Sequence, residues 1–178
     1  MSDHSLRDLA RSHASGVRYK NGVLSITVVL PAGQQKVWER LTVPQELASW
    51  SPVVPNRPLT SCGPATSAEN PSDEPVDASV LDVREPWFLQ HRWGSHILTW
   101  ALAPAGEGTQ LNLVDELDDP GMAPQQAAGW ALCLAVLEDQ LSGQATARCV
   151  GQDALEHGWA ELRDDYAARF DTTETGSA

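Results

Sequence analysis

Two histidines five residues apart, His91 and His96, are the side chains best suited by type to do chemistry in this chain. Both lie in stretches that alternate like β-strands, beside Trp93 and Trp100. A histidine turned into an apolar cavity can act as general acid or base, or hydrogen-bond a ligand carbonyl, because imidazole changes charge near neutral pH. A solvent-facing or backbone-satisfied ring is the weightier reading of either. Trp50, Trp93, Trp100 and Trp130 can line a cavity and stack on a flat ligand, since aromatic faces give large apolar contact with a preferred geometry. As plain core residues they need no ligand, and the two readings stand level. Asp115, Glu116, Asp118 and Asp119 gather at one strand end, where converging carboxylates would hold a cation. They lack EF-hand spacing, so a solvated turn is the expectation. Cys133, inside an apolar run, reads as a small core residue rather than a nucleophile.

Several chemistries are excluded by pattern. The chain has no GxSxG elbow, Gly-rich phosphate loop, HExxH or CxxC metal signature, or dinucleotide fingerprint, so no cofactor and no metal are implied. A formal net charge of -12 and the lack of a Lys/Arg cluster argue against nucleic acid and anionic membrane as partners. No run approaches the roughly 20 apolar residues that span a bilayer, and the polar start MSDHSLRDLARSHASG lacks a signal-peptide core, so a cytoplasmic location is expected. Cys62, Cys133 and Cys149 are widely and unequally spaced, which suits free thiols better than a disulfide framework or a zinc site.

The elements that must position these residues are organised around the stretch from Ala123 to Leu141. Ala127, Trp130, Leu134, Leu137 and Leu141 recur at three- and four-residue steps, and Leu132, Cys133, Ala135 and Val136 widen the apolar arc. This predicts a helix from about Pro124 to Leu141, ended by Gly143 and covered on more than one side. A sheet on one side and something smaller on the other would cover it. Ahead of it, Val17 to Leu30 carries an Asn-Gly turn and then a β-branched run with Leu24, Ile26, Val28 and Leu30 on its core face. Two short helices follow, one around Val37, Trp38 and Leu41 and one from Pro44 to near Trp50. Six prolines between Ser51 and Pro75 allow only an edge or broken strand, most plausibly Arg57 to Ser67. From Val76 to Leu117 short connections join antiparallel strands. There Trp87, Leu89, His91 and Trp93 share one face, and Leu98, Trp100 and Leu102 share another, both turned toward the long helix. No histidine–carboxylate or tyrosine–carboxylate pairing is evident along these inward faces. After a polar linker, Leu155, Trp159, Leu162, Tyr166 and Phe170 form the apolar stripe of a helix that docks outside.

This order of elements, together with VLPAGQQKVWERLTVPQELASWSP, EPWFLQHRWG, ILTWALAPAGEGTQLNL and AAGWALCLAVL, resembles the START-like, or helix-grip, superfamily. Within it the chain is similar to the bacterial branch named for the activator of the heat-shock chaperone ATPase. The resemblance covers roughly Gly22 to Gly143. It implies an α+β fold in which a curved antiparallel sheet wraps a long C-terminal helix, with a cavity between them closed by the two short helices. The expected organisation is a mobile tail over 1–16, the START-like domain over 17–143, a linker and docking helix over 144–171, and a disordered tail over 172–178.

Three functions fit that reading. The favoured one is binding of a small hydrophobic or aromatic molecule between sheet and helix, with Trp50, His91, Trp93, His96, Trp100 and Trp130 as contacts. A polyketide cyclase/dehydratase-like enzyme would use a cavity histidine, and a chaperone- or regulator-binding module would use an exposed apolar patch.

Overall fold

The computed structural model describes residues 5–175. A six-stranded antiparallel sheet runs in the order β1 (Val17–Lys20), β2 (Val23–Leu30), β8 (Gly108–Glu116), β7 (His96–Ala105), β6 (Phe88–Trp93) and β5 (Val80–Arg84). Between β2 and β5 come α2 (Gln34–Thr42), α3 (Pro44–Leu47) and the two-residue strands β3 (Thr66–Ser67) and β4 (Val76–Asp77), which pair with each other as a separate small sheet. The long helix α4 (Ala123–Leu141) follows β8, and α5 (Gln152–Glu156) and α6 (Trp159–Thr175) complete the chain. The architecture is α+β and matches the helix-grip arrangement.

Local sequence explains most of this. Asn21 and Gly22 both take positive φ, the geometry a two-residue hairpin turn needs to join β1 to β2. Leu24, Ile26, Val28 and Leu30 alternate onto the buried face of β2, and Leu111, Leu113 and Asp115 of β8 stand opposite Val28, Ile26 and Leu24. The expected strand from Arg57 shrinks to Thr66–Ser67 because the proline-rich loop is held from within. Its Arg57 guanidinium donates to the carbonyls of Pro58, Ser61, Pro64 and Gly63, which satisfies backbone that a sheet would otherwise pair.

On α4 every residue from Trp130 to Leu137 is buried, because the sheet covers one side and α1 (Leu6–Ser12) and α6 cover the other. The segment 5–16 is therefore no free tail. It forms α1 and a 3-10 turn (His13–Gly16), buries Ala10 and His13, and is tied to α4 by His13 Nε2 and Glu138 Oε2 at 2.6 Å. Arg7 and Arg11 reach Glu161 and Asp165 on α6. The apolar signal of Leu6 and Leu9 is too short to announce a helix; contacts with α4 and α6 stabilise it instead. Residues 1–4, which share the same tail expectation, lie outside the described residues.

Three further expectations are corrected. Gly158, at φ +84°, breaks the docking helix, so Leu155 belongs to the separate α5 and is 48% exposed while Leu162, Tyr166 and Phe170 are buried. The helix then continues through Thr175, past the expected tail boundary at 172, and 176–178 lie outside the described residues. Trp87 lies in the turn ahead of β6, exposed beneath the Arg84 guanidinium, instead of sharing the inward face with Leu89 and His91.

Candidate functional site

The six candidate residues come together in one cluster where β6, β7 and β8 meet α4. Trp100 packs edge-on against Trp50 and Trp130, at centroid distances of 6.1 and 5.4 Å, and Trp93 packs against Trp130 and His96 at 5.6 and 5.7 Å. Such tilted contacts are the preferred geometry of aromatic quadrupoles. Polar atoms on the rings are matched in turn. Trp50 donates to the Arg40 carbonyl, Trp100 Nε1 to His91 Nε2 at 3.0 Å, and Trp130 Nε1 to Asp115 Oδ2 at 3.1 Å.

The His91 tautomer follows from its partners. An indole N–H can only donate, so Nε2 is the acceptor, and Nδ1 carries the proton given to the Arg92 carbonyl at 2.8 Å. Burial pushes the His91 pKa down to about 4, against a smaller opposing pull from that carbonyl. The ring is neutral and fully engaged.

His96 lies between two carboxylates, with Nδ1 2.8 Å from Asp115 Oδ1 and Nε2 3.2 Å from Asp118 Oδ1. This corrects the expectation of no histidine–carboxylate pair. The two are 19 residues apart, but β7 pairs with β8 so that Leu98 faces Asp115 and Ile97 faces Glu116. Only the register brings them together. Asp115 is wholly buried and its carboxyl pKa is raised by that burial, with the His96 charge and the Trp130 and His96 hydrogen bonds opposing. The acidic cluster is thus not one solvated turn: Asp115 is core, Asp118 accepts from Ser95 Oγ with its other oxygen 3.2 Å from His96 Nε2, and Asp119 accepts from the Gly121 N–H. Among the described residues no three His, Cys, Asp or Glu side chains converge as a metal site.

Between sheet and helix the rings of Trp50, Trp93, Trp100 and Trp130 pack on one another. The cavity lies instead along one flank of α4, where Gln126, Gly129, Trp130 and Cys133 follow one helical stripe. It measures about 490 Å³, opens to solvent, and is bordered by Pro52, Glu69, Trp93, residues 149–152, Ala154, Leu155 and Trp159. Of the six candidates only Trp93 and Trp130 line it. Gly129, Cys133, Glu69, Cys149 and Trp159, none of them expected from the sequence as contacts, line it as well. One signal was present, since Gly129 is a helix-interior glycine, which costs roughly 1 kcal/mol relative to alanine. Both cavity thiols are buried and inert: burial pushes Cys133 far up and Cys149 to about 11. A polar recess of about 310 Å³ adjoins the cavity, sharing Glu69, Val150, Gly151 and Gln152 and adding Asn70, Arg148 and Asp153.

A family model described as Activator of Hsp90 ATPase homolog 1-like protein matches residues 31–142, more than half of the chain. The chain belongs to this family. No curated protein matches it significantly. Among solved structures, EF2215 of Enterococcus faecalis, a conserved protein of unknown function, superposes with a TM-score of 0.72 at 18% identity, over 92% of this chain and 95% of its own. CalU16 of Micromonospora echinospora gives 0.69 at 18% identity over 88% and 93%. DynU16, a protein of the dynemicin biosynthetic locus, gives 0.60 at 22% identity over 72% of this chain and 50% of its own. At these identities the neighbours establish the fold. The family match stops at 142, so Cys149, Val150, Leu155 and Trp159, which wall the cavity, lie beyond it. No helix among the described residues is long and apolar enough to cross a membrane.

Proposed function

We propose that this protein binds a small, mostly apolar molecule in the cavity between α4 and the segment running from Cys149 to Trp159. One observation carries the reading: a cavity of about 490 Å³ walled by Trp93, Trp130 and Trp159. That volume falls in the range of small-molecule sites, about 300–1,000 Å³, and a mainly apolar wall with few polar groups is their usual make-up. Gln126, Glu69 and Gln152 are the polar groups available to orient an occupant. The histidine-based cyclase reading finds less support. Neither His91 nor His96 lines the cavity, and both nitrogens of each ring are engaged.

The test is a titration with the neutral fluorophore N-phenyl-1-naphthylamine. A built Cβ on Gly129 would sit 3.9 Å from Trp159 Nε1, ordinary contact, and the rest of a Gly129→Leu side chain is expected to enter the cavity, with folding of the variant checked by circular dichroism before titration. Micromolar binding, about 8 kcal/mol, is expected for the native chain and loss of at least tenfold for Gly129→Leu. Equal binding by both proteins would place the probe elsewhere and overturn the reading.

A further inference from the structure

We infer that the occupant is an amphiphile with an ammonium head, received by the Glu69 carboxylate while its apolar body lies against Trp93, Trp130 and Trp159. This rests on the cavity proposed above and adds the chemical class of its ligand. Glu69 lines both the apolar cavity and the polar recess, so its carboxylate stands at the boundary between them. Among the described residues no hydrogen bond engages that carboxylate; the only bond at Glu69 beyond regular backbone pairing is accepted by its main-chain carbonyl. The contrast with Asp115, whose two oxygens are both met by ring donors, is direct.

Arg148 does not claim it either. Its Nε donates to the Ser51 carbonyl at 2.8 Å and its Nη2 to the Glu69 carbonyl at 3.0 Å, and no ion pair forms with the Glu69 carboxylate. The guanidinium is a strut between loop and linker, leaving the acceptor beside it open. Charged groups around Glu69 favour a cation. Asp73 of its own loop and Asp153 on α5 stand against Arg148 alone, and the cavity thiols of Cys133 and Cys149 are neutral. Desolvation holds the Glu69 carboxyl above its ordinary range, with Arg148 opposing, and an ammonium in contact would relieve that cost. At Gly151 a Cβ would lie 3.5 Å from Glu69 Oε1, so the glycine keeps the carboxylate uncovered on that side.

The experiment compares three probes of one shape, 1-naphthylmethylamine, 1-naphthalenemethanol and 1-naphthoate, by calorimetry on the full chain at pH 7.5. The amine is expected to bind about tenfold or more tighter than the carboxylate, with the alcohol between, as a charge-assisted hydrogen bond predicts. Glu69→Gln, nearly isosteric, should abolish the amine's advantage and leave the alcohol within about twofold. As pH falls through the Glu69 titration, amine binding should weaken while alcohol binding holds. Equal affinities, a preference for naphthoate, or an amine preference that survives Glu69→Gln would overturn the head-group assignment while leaving the cavity as the binding site. If none of the three binds and N-phenyl-1-naphthylamine also fails, the cavity reading itself falls and this inference with it.

Discussion

The two sides of α4 use the same kind of residue to opposite effect. Toward the sheet, Trp130 meets Trp93 and Trp100, and the polar atoms between the rings are paired with one another. Toward the C-terminal segment, Gly129 and Cys133 are small, Gln126 is only half-buried, and a pocket of about 490 Å³ lies beside them with Trp159 at its border. Tryptophan content therefore does not locate a binding site. Rings that contact one another make a core, and the pocket lies where Trp93 and Trp130 border that core beside the small Gly129 and Cys133.

The largest expected effect lies on the closed side. Trp130→Ala removes a buried indole and leaves Asp115 Oδ2 without its donor, and should cost about 3–5 kcal/mol in chemical denaturation. A cost below about 1 kcal/mol would mean that the ring cluster is not a structural core.

A pH dependence of similar origin comes next. His91 has a folded pKa of about 4 against an ordinary value near 6.5, so the unfolded chain binds the proton more readily. Its contribution is fully present above about pH 6.5 and is lost as pH falls toward 4, a decline of roughly 3 kcal/mol. Asp115 and Glu69 act in the opposite sense, because their raised folded pKa values make the folded state the better proton binder below neutrality. Denaturation at pH 7.5, 5.5 and 4.5 on the native chain and His91→Gln isolates the histidine term: the native protein should lose more stability on acidification. Parallel profiles would show that His91 is not buried neutral.

Trp100→Phe keeps most of the ring but withdraws the donor from His91 Nε2, and about 1–2 kcal/mol should be lost on thermal or urea unfolding. On the open side the sign reverses. Gly129→Ala relieves a helix-interior glycine without a close contact, so stability should rise by up to about 1 kcal/mol. Destabilisation there would mean that the flank is packed as tightly as the sheet side.

Period and turn chemistry were enough to read α4, the β1–β2 hairpin and the inward residues of β2, because each carries its signal in neighbouring residues. What escaped notice depends on contacts distant in sequence. α1 is a short helix fixed by α4 and α6, and His96 meets Asp115 only through the β7–β8 register. Leu155 kept the apolar spacing of α6, but Gly158 ends that helix and turns Leu155 to the rim of the cavity. The six candidate residues meet in one cluster, and of them Trp93 and Trp130 line the pocket. Periodicity marks which residues are apolar; where along α4 a pocket lies depends on what packs against each of them, which neighbouring residues do not encode.

Co-crystallisation with N-phenyl-1-naphthylamine tests the central claim most directly. The account predicts density for the naphthyl ring bounded by Trp93, Trp130 and Trp159, with the Trp50–Trp100–Trp130 contacts unchanged. Density between Trp100 and the sheet, with those rings displaced, would contradict it.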